Sequence, residues 1–204
     1  MTQNERIARL LVKLDHIEPV IWRRIEVPVT TSLKGLHDII QAVMLFKDYH
    51  LFEFNAGSRR YAVPDPEWDF GRETYAARNV RIGALVERGI TTFHYTYDFG
   101  DDWRHSITVE AVTDAASAID YPHFVDGERR APPDDVGGLP GFEDFLTAMA
   151  KPGHAQHREV LEWYGGLFDP SDIGTDMIRE RIAKLARRRR LGKAGFAKSQ
   201  NKRH

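Results

Sequence analysis

The chain contains no cysteine. Disulfide bonds and thiolate metal ligands are therefore both excluded. It also contains no apolar run near the roughly 20 residues that a membrane-spanning helix needs, and its first residues lack the pattern of a signal peptide. The sequence therefore predicts a cytoplasmic protein that makes no contact with a membrane.

Acidic residues are absent from one end of the chain. Residues 181–204 contain ten Lys or Arg and no Asp or Glu, against 29 basic and 30 acidic residues in the whole chain. The first 180 residues consequently carry a net charge of −11. An acidic body with a basic tail is the main electrostatic feature of this sequence.

Apolar and aromatic residues are present in quantity. They make up 42% and 11% of the 204 residues, which is enough for one large core. The patterns predict a single α+β domain over residues 1–186, with a mixed or largely antiparallel sheet, one helix after the first hairpin and a C-terminal helical segment. Residues 187–204 are predicted to form a basic, disordered tail. The alternative is that Arg187–Arg190 continue the last helix and that disorder begins at Leu191.

Local patterns predict the individual elements. Alternation predicts strands at residues 6–15 and 20–27, and Thr31 or Ser32 is predicted to cap the helix that follows. Arg23 and Arg24 fall on opposite faces of the second strand, and the head of the inward arginine is expected to reach solvent. Residues 64–79 and 120–141 are predicted to lack regular structure. Further predicted elements are a hairpin at 50–63, a short apolar element at 80–87, and helices at 142–149, 158–164 and 176–185.

Residues 91–111, TTFHYTYDFGDDWRHSITVEA, have the most distinctive pattern. They alternate as two strands joined by an acidic turn at residues 98–102, because successive strand side chains point to opposite faces. On the core-facing side, the predicted cross-strand pairs are Tyr97 with Trp103, Tyr95 with His105 and Phe93 with Ile107. The other face is predicted to carry His94, Thr96, Arg104 and Ser106.

The acidic turn offers ligands for a divalent cation. The candidate ligands are Asp98, Asp101 and Asp102, because hard cations prefer carboxylate oxygens, and a histidine would favour Mn²⁺ or Zn²⁺. Such an ion would activate water against a phosphodiester. The simpler explanation is that Asp and Gly suit a tight turn. Additional candidate ligands are His50, His105, His123, Asp134 and Asp135.

Acid–base catalysis without a metal is a second hypothesis, with Asp101 and His105 as the candidate catalytic residues. It requires a carboxylate within hydrogen-bond distance of His105 or His94, and a shifted pKa. A histidine that only fills the core is the commoner case, and His105 is predicted to lie on the aromatic face.

A recognition surface for a peptide or a nucleic acid is a third hypothesis. The acidic turn and the loop at residues 128–135 would present its polar groups. The residues predicted for this binding surface are Tyr97, Asp98, Asp101, Asp102, Trp103, Arg104, Arg129, Arg130, Asp134 and Asp135.

The basic tail indicates contact with DNA or RNA. Clustered Lys and Arg neutralise phosphates and release counterions, which gives affinity that depends on salt and not on sequence. A tail that only improves solubility would have the same composition, and the acidic body would repel nucleic acid. The predicted contacts are Arg187, Arg188, Arg189, Arg190 and Lys193.

Several segments resemble the plasmid pRiA4b ORF-3-like family. They are IWRRIEVP (21–28), SLKGLHDIIQAVM (32–44), HLFEF (50–54), YTYDFGDDWRHSITVE (95–110), APPDDVGG (131–138), PGFEDFL (140–146) and FDP (168–170). The resemblance implies an α+β fold and a link to plasmids and mobile elements, without implying an activity. Many members carry cysteines near the PPED-GG segment, where this chain has Ala131, Val136 and His123, so a thiolate site does not transfer.

Two functions follow as hypotheses from these observations. The first is a non-catalytic binding module, associated with mobile elements, whose tail assists contact with nucleic acid; a protein partner is the alternative to nucleic acid. The second is a metal-dependent phosphodiester hydrolase that uses the acidic turn and a divalent cation.

Overall fold

Alternating apolar and polar residues form the strands of one mixed sheet. The structure is a computed structural model that describes residues 5–64 and 73–201. Eight strands form in these residues: β1 (Arg6–Leu14), β2 (Trp22–Pro28), β3 (Phe52–Ala56), β4 (Arg59–Ala62), β5 (Thr74–Ala76), β6 (Thr92–Tyr97), β7 (Trp103–Asp114) and β8 (His123–Glu128). Their order is β5-β4-β3-β6-β7-β1-β2-β8. Neighbours are antiparallel, except that β4 and β5 are parallel.

Helices cover one face of this sheet. The described residues form α1 (Leu33–Met44), α2 (Ile82–Glu87), α3 (Gly138–Ala150), α4 (His157–Tyr164) and α5 (Thr175–Asn201). The hydroxyl of Ser32 accepts a hydrogen bond from the Gly35 N–H at 3.1 Å and so caps α1. The predicted α+β class, with a helix after the first hairpin and a helical C-terminal segment, is confirmed. In the part of the chain that the structure describes, no helix is both long and apolar enough to cross a membrane.

The hairpin of β6 and β7 has the predicted register. The pairs Tyr97 with Trp103, Tyr95 with His105 and Phe93 with Ile107 all form, and all six side chains are buried in the core. The opposite face lines an open hollow of about 1000 Å³ that includes His94, Thr96, Arg104 and Ser106. The same two strands therefore build the core with one set of side chains and a polar surface with the other.

Two predictions about irregular segments are wrong. β8 forms within residues 120–141 and pairs with β2. Asp126 and Gly127 are poor strand residues, and a register shift between Arg24 and Ile25 accommodates the pairing. Half of the loop predicted at residues 64–79 lies outside the described residues, but β5 forms in its second half.

The structure also corrects the prediction of a disordered tail. α5 continues through Asn201, and residues 202–204 lie outside the described part of the chain. Four basic side chains of α5 contact carboxylates of the body, and these ion pairs hold the helix against it. The pairs are Arg188 with Asp38 (2.9 Å), Arg189 with Glu5, Lys193 with Glu5 (2.7 Å) and Arg190 with Asp120 (2.5 Å).

Arg23 is the inward arginine of β2, and none of its surface is exposed. Its guanidinium donates to the backbone carbonyls of Val43 (2.9 Å), Trp22 (2.8 Å) and Glu128 (3.0 Å). The Val43 carbonyl belongs to the last turn of α1, where the helix dipole favours a positive charge. Burial lowers the pKa of Arg23 to about 10, so the side chain stays charged at neutral pH. The expectation that its head reaches solvent is wrong, because carbonyl dipoles take the place of water.

We expect Arg23→Lys to lower the free energy of unfolding by roughly 2–3 kcal/mol, because an ammonium group cannot span the same carbonyls and leaves buried acceptors unpaired. Urea denaturation measures this loss. The control is Arg24→Lys, on the exposed face of the same strand, where the ion pair with Glu110 at 2.8 Å contributes less than about 1 kcal/mol. Equal losses for the two variants would show that Arg23 has no special role.

Candidate functional site

Asp98 organises the turn between β6 and β7. Its backbone is left-handed, with φ of 56°, a conformation that Asp and Asn tolerate better than most residues. Its Oδ1 accepts hydrogen bonds from the backbone N–H groups of Gly100 (2.9 Å) and Asp101 (3.3 Å). Its Oδ2 lies 3.4 Å from Nε2 of His50. The turn therefore occupies one carboxylate oxygen and leaves the other for His50.

Three side chains from distant parts of the chain meet beside this turn, and we call His50, Asp98 and Asp135 the His50 cluster. Nε2 of His50 lies 2.9 Å from Oδ1 of Asp135. One ligand atom from each residue lies within 4.8 Å of the others. This Nε2 is buried, yet no described group meets it in hydrogen-bonding geometry. An imidazole nitrogen and two carboxylates at this spacing can hold a divalent cation.

The His50 cluster has a protein side and a solvent side. The side chain of Asp135 is 59% exposed, whereas that of Asp98 is 9% exposed. Both carboxylates approach the same nitrogen, so their negative charges repel each other unless a cation lies between them. A cation at this position would keep coordination sites open toward solvent beside Asp135.

Tyr97 fixes the loop that carries Asp135 to the hairpin. Its hydroxyl donates to Oδ1 of Asp134 at 3.0 Å and accepts from the backbone N–H of Tyr49 at 3.1 Å. Asp134 also accepts from the backbone N–H of Lys47 at 3.2 Å. Burial, together with the charge of Asp134, raises the pKa of Tyr97. Tyr97 therefore stays protonated at neutral pH and positions the loop as a hydrogen-bond donor.

Of the three predicted turn ligands, the structure brings only Asp98 to the His50 cluster. Asp101 accepts a hydrogen bond from the backbone N–H of Gly137 at 3.2 Å, which joins the turn to the start of α3. Asp102 forms an ion pair with Arg104 at 2.7 Å. Asp101 and Asp102 therefore contribute to the architecture around the turn and not to the cluster.

Proteins of the same fold and related sequence support a family assignment. A family model described as plasmid pRiA4b ORF-3-like protein matches residues 6–177. The chain belongs to this family. It is 38% identical over 181 residues to the uncharacterized protein y4hQ of Sinorhizobium fredii, covering 88% of this chain and 92% of that protein. It is also similar to the crystal structure of MM3350, a protein of unknown function from Methanosarcina mazei, with a TM-score of 0.75 and 29% identity over 83% of this chain and 95% of that one.

The match to the pRiA4b ORF-3-like family includes the whole His50 cluster but not the basic part of α5. It ends at residue 177, before the five tail cations that were predicted to contact nucleic acid. Four of these cations are paired with carboxylates of the body, as described above. The fifth, Arg187, lies at a recess between α5 and β8.

The residues predicted as one binding surface lie in several places on this pRiA4b ORF-3-like protein. Tyr97 and Trp103 are buried in the core. Asp102 and Arg104 line the open hollow on the uncovered sheet face, where they pair with each other. Arg129 directly follows β8, whereas Arg130, Asp134 and Asp135 line a separate cleft.

The open hollow has two ion pairs among its lining residues. Glu53 binds Arg60 at 2.6 Å, and Asp102 binds Arg104. No group of metal-binding spacing was found among its described residues. The hollow therefore offers a polar surface without the unsatisfied buried ligand atom that distinguishes the His50 cluster.

A second group with metal-binding spacing, His37, Asp38 and Asp48, is part of the core architecture. Both nitrogens of His37 already have partners, Asp48 Oδ1 at 2.7 Å and the hydroxyl of Tyr95 at 2.8 Å. The ring stacks on Phe52, with the centroids 3.7 Å apart. Burial lowers the pKa of His37 to about 4. This histidine is therefore a neutral core residue.

His105, a predicted catalytic candidate, is fully buried beneath the hairpin. Its Nδ1 lies 3.0 Å from the Trp103 carbonyl and donates to it. Burial lowers the pKa of His105 to about 4. The predicted pairing of His105 or His94 with a catalytic carboxylate does not appear among the ion pairs of the described residues. His123 begins β8, which is three strands from β7 in the sheet.

We expect the free energy of unfolding to fall as the pH is lowered from 6.5 to 4. The unfolded chain binds a proton at the ordinary histidine pKa of 6.5, whereas buried His105 stays neutral until about 4. Stability from this group is complete above pH 6.5 and is lost progressively below it, by up to about 3 kcal/mol. Urea denaturation at a series of pH values should give a shallower slope for His105→Phe.

The matched control for this pH dependence is His94→Phe. His94 lies on the exposed face of the neighbouring strand, so its replacement should leave the slope unchanged. An identical slope for wild type and His105→Phe would show that His105 is not held neutral by the fold.

Proposed function

We propose that this protein binds a divalent cation at the His50 cluster, and that hydrolysis of a phosphodiester is the activity of the bound metal. The observation that carries this proposal is the buried Nε2 of His50, which lies between two carboxylates without a hydrogen bond. A buried nitrogen that lies 2.9 and 3.4 Å from two carboxylates without a hydrogen bond is poorly satisfied. A metal ion would satisfy the nitrogen and both carboxylates at once.

The ligand set favours Mn²⁺ or Zn²⁺ over Ca²⁺ and Mg²⁺. Ca²⁺ and Mg²⁺ take oxygen ligands almost alone, whereas imidazole suits transition metals. Three protein ligands with an open position are also typical of catalytic sites, because structural zinc sites are closed by four. The exposed side of Asp135 is where water or substrate would enter.

His50, Asp98 and Asp135 would hold the ion, while Tyr97 and Asp134 hold the loop that carries Asp135. When bound, the ion would supply a water nucleophile at neutral pH for attack on a phosphodiester, with the leaving oxygen taking a proton from solvent.

The competing arrangement is an ion pair in which a charged His50 lies between Asp98 and Asp135. Its weakness is geometric, because Nε2 does not meet either carboxylate at a hydrogen-bonding angle.

A purely non-catalytic binding module is also compatible with a metal at this site. Turnover separates that hypothesis from the hydrolase.

Contact with nucleic acid through α5 is a second proposal with less support. Ten cations without an acidic residue in residues 181–204 favour it. The body carboxylates compete with phosphate for four of the five predicted contacts. A link to mobile elements and a cytoplasmic location are likewise proposals, which rest on the family description and on the sequence features given above.

Mn²⁺ or Zn²⁺ should raise the melting temperature of the wild-type protein, and Asp98→Asn should abolish that rise, because an amide oxygen is a much weaker metal ligand than a carboxylate. The Asn side chain keeps the oxygen that binds the Gly100 and Asp101 N–H groups and suits the left-handed backbone, so the variant should fold. Differential scanning fluorimetry measures the shift, and hydrolysis of bis(4-nitrophenyl) phosphate measures turnover.

Asp102→Asn is the matched control for the metal. Asp102 lies in the same turn as Asp98 and has the same left-handed φ of 56°. Its carboxylate pairs with Arg104 and not with His50. The variant should keep both the metal-induced shift and the turnover. A wild-type protein that gains no stability from either metal would refute the metal site, whereas stabilisation without turnover would leave a metal-dependent binding module.

The proposal for α5 is tested with short duplex and single-stranded DNA over a salt series, using the full chain and a chain ended at Ala186. Salt-sensitive binding that is lost on truncation is the expected result if the tail makes the contact. The truncated chain should also unfold more easily, because the ion pairs of Glu5, Asp38 and Asp120 with α5 are removed. Equal binding by the two chains would exclude the tail as the contact.

A further inference from the structure

A cleft of about 570 Å³ opens beside the His50 cluster, and its size is within the range of small-molecule sites. It lies between the end of α1, the loop at residues 130–135, the end of α4 and the start of α5. Asp135 belongs both to this cleft and to the His50 cluster. A ligand in the cleft would therefore lie next to a metal bound by the cluster.

One wall of the cleft is apolar and exposed. Trp163 is 50% exposed, Leu167 79% and Met177 45%. Large apolar side chains are seldom left open together on a surface, and a group of them marks a contact site. The ring of Trp163 is held edge-on against Phe145, with the centroids 5.8 Å apart. Trp163 is therefore a positioned aromatic platform with half of its surface available.

Basic side chains line the same cleft. Three of them, Lys47, Arg130 and Arg181, accompany two carboxylates, Asp134 and Asp135. Arg181 donates to the carbonyl oxygen of Phe46 at 2.7 Å, a contact that leaves its charge uncompensated. Within the described residues, neither Lys47 nor Arg181 forms an ion pair. Arg130 is paired with Asp172 at 3.4 Å, so the cleft has two cations without an ion pair, Lys47 and Arg181, beside two carboxylates.

A metal at the His50 cluster would give the cleft a net positive charge. It would neutralise Asp135, the carboxylate at the junction of the cluster and the cleft. Asp134 already receives hydrogen bonds from Tyr97 and from the backbone of Lys47. Binding of the metal and of an anion should therefore strengthen each other, because each lowers the electrostatic cost of the other.

We infer that the cleft binds a phosphate ester that carries an aromatic group, such as a nucleotide, with the phosphate near Asp135 and Lys47 and the ring on Trp163. This inference rests on the proposed metal site and names the class of its substrate. Anionic charge matches the basic residues, and a flat ring matches the exposed indole, on which any nucleobase can stack. A neutral apolar ligand would leave the cations without a partner.

The experiment is equilibrium dialysis of adenosine 5′-monophosphate against the full chain, with Mn²⁺ and with EDTA. Adenosine and inorganic phosphate serve as probes that each lack one half of the ligand. The monophosphate should bind with Mn²⁺ more tightly than either probe, and removal of the metal should weaken it. Trp163→Ala should weaken it by roughly 5- to 100-fold, the effect of one lost stacking contact, and Lys47→Met by roughly tenfold.

Two controls separate stacking from a general loss of structure. Trp163→Phe keeps an aromatic ring and should restore most of the affinity. Phe99→Ala removes an exposed aromatic side chain from the open hollow on the other side of the hairpin and should have no effect. Equal affinity for Trp163→Ala and wild type would overturn the assignment of the ring to Trp163.

The outcomes also distinguish this inference from the metal proposal. A protein that Mn²⁺ stabilises but that binds no monophosphate would overturn the inference and leave the metal site in place. Binding that is the same with Mn²⁺ and with EDTA would overturn the placement of the phosphate beside the metal. Adenosine that binds as tightly as its monophosphate would overturn the role of the cations.

Discussion

The hydrogen bonds from the turn backbone to the Asp98 carboxylate are the constraint on which the site depends. They hold a five-residue turn in one shape, and the turn sets the register of β6 against β7. A slip of one residue would move every side chain to the opposite face. Tyr97 would then leave the core side, and the loop that it holds through Asp134 would lose its anchor. The core and the His50 cluster are thus built by the same register.

The ionisable groups inside the fold have different partners from those on its surface. Inside, Arg23 binds only backbone carbonyls, and His37 and His105 stay neutral, because an unpaired ion is costly away from water. On the surface, the basic side chains of α5 pair with carboxylates of an otherwise acidic body. The basic residues of α5 from Arg188 to Lys193 are therefore part of the folded structure, although their composition alone is typical of a free tail.

Local sequence patterns predicted the architecture well where the apolar residues follow one clear repeat, either strand alternation or helical spacing. The register of the central hairpin, the Ser32 cap and the α+β class follow from alternation and helical spacing. β8 could not be predicted in this way, because HFVDGE contains Asp and Gly and forms a strand only when β2 provides a partner. The continuation of α5 beyond Arg190 was missed for a related reason, since the carboxylates that stabilise the helix, such as Glu5 and Asp120, are distant in sequence.

Local sequence patterns were also insufficient to predict the His50 cluster. The acidic turn drew attention to Asp98, Asp101 and Asp102, but carboxylates that are adjacent in sequence need not converge. The actual neighbours of Asp98 come from the segment before β3 and from the loop before α3. As metal ligands, His50 and Asp135 appeared only among the additional candidates, because the fold and not the spacing brings them together.

The strand order has a consequence for how this protein is assembled. β1 is an interior strand of the sheet, and its two neighbours become available at different times during synthesis. β2 follows β1 directly, whereas β7 is complete only at Asp114. A nascent chain therefore carries one side of β1 unpaired over roughly a hundred residues of translation. Contacts this distant in sequence make folding slow and favour protection of the exposed strand edge by chaperones.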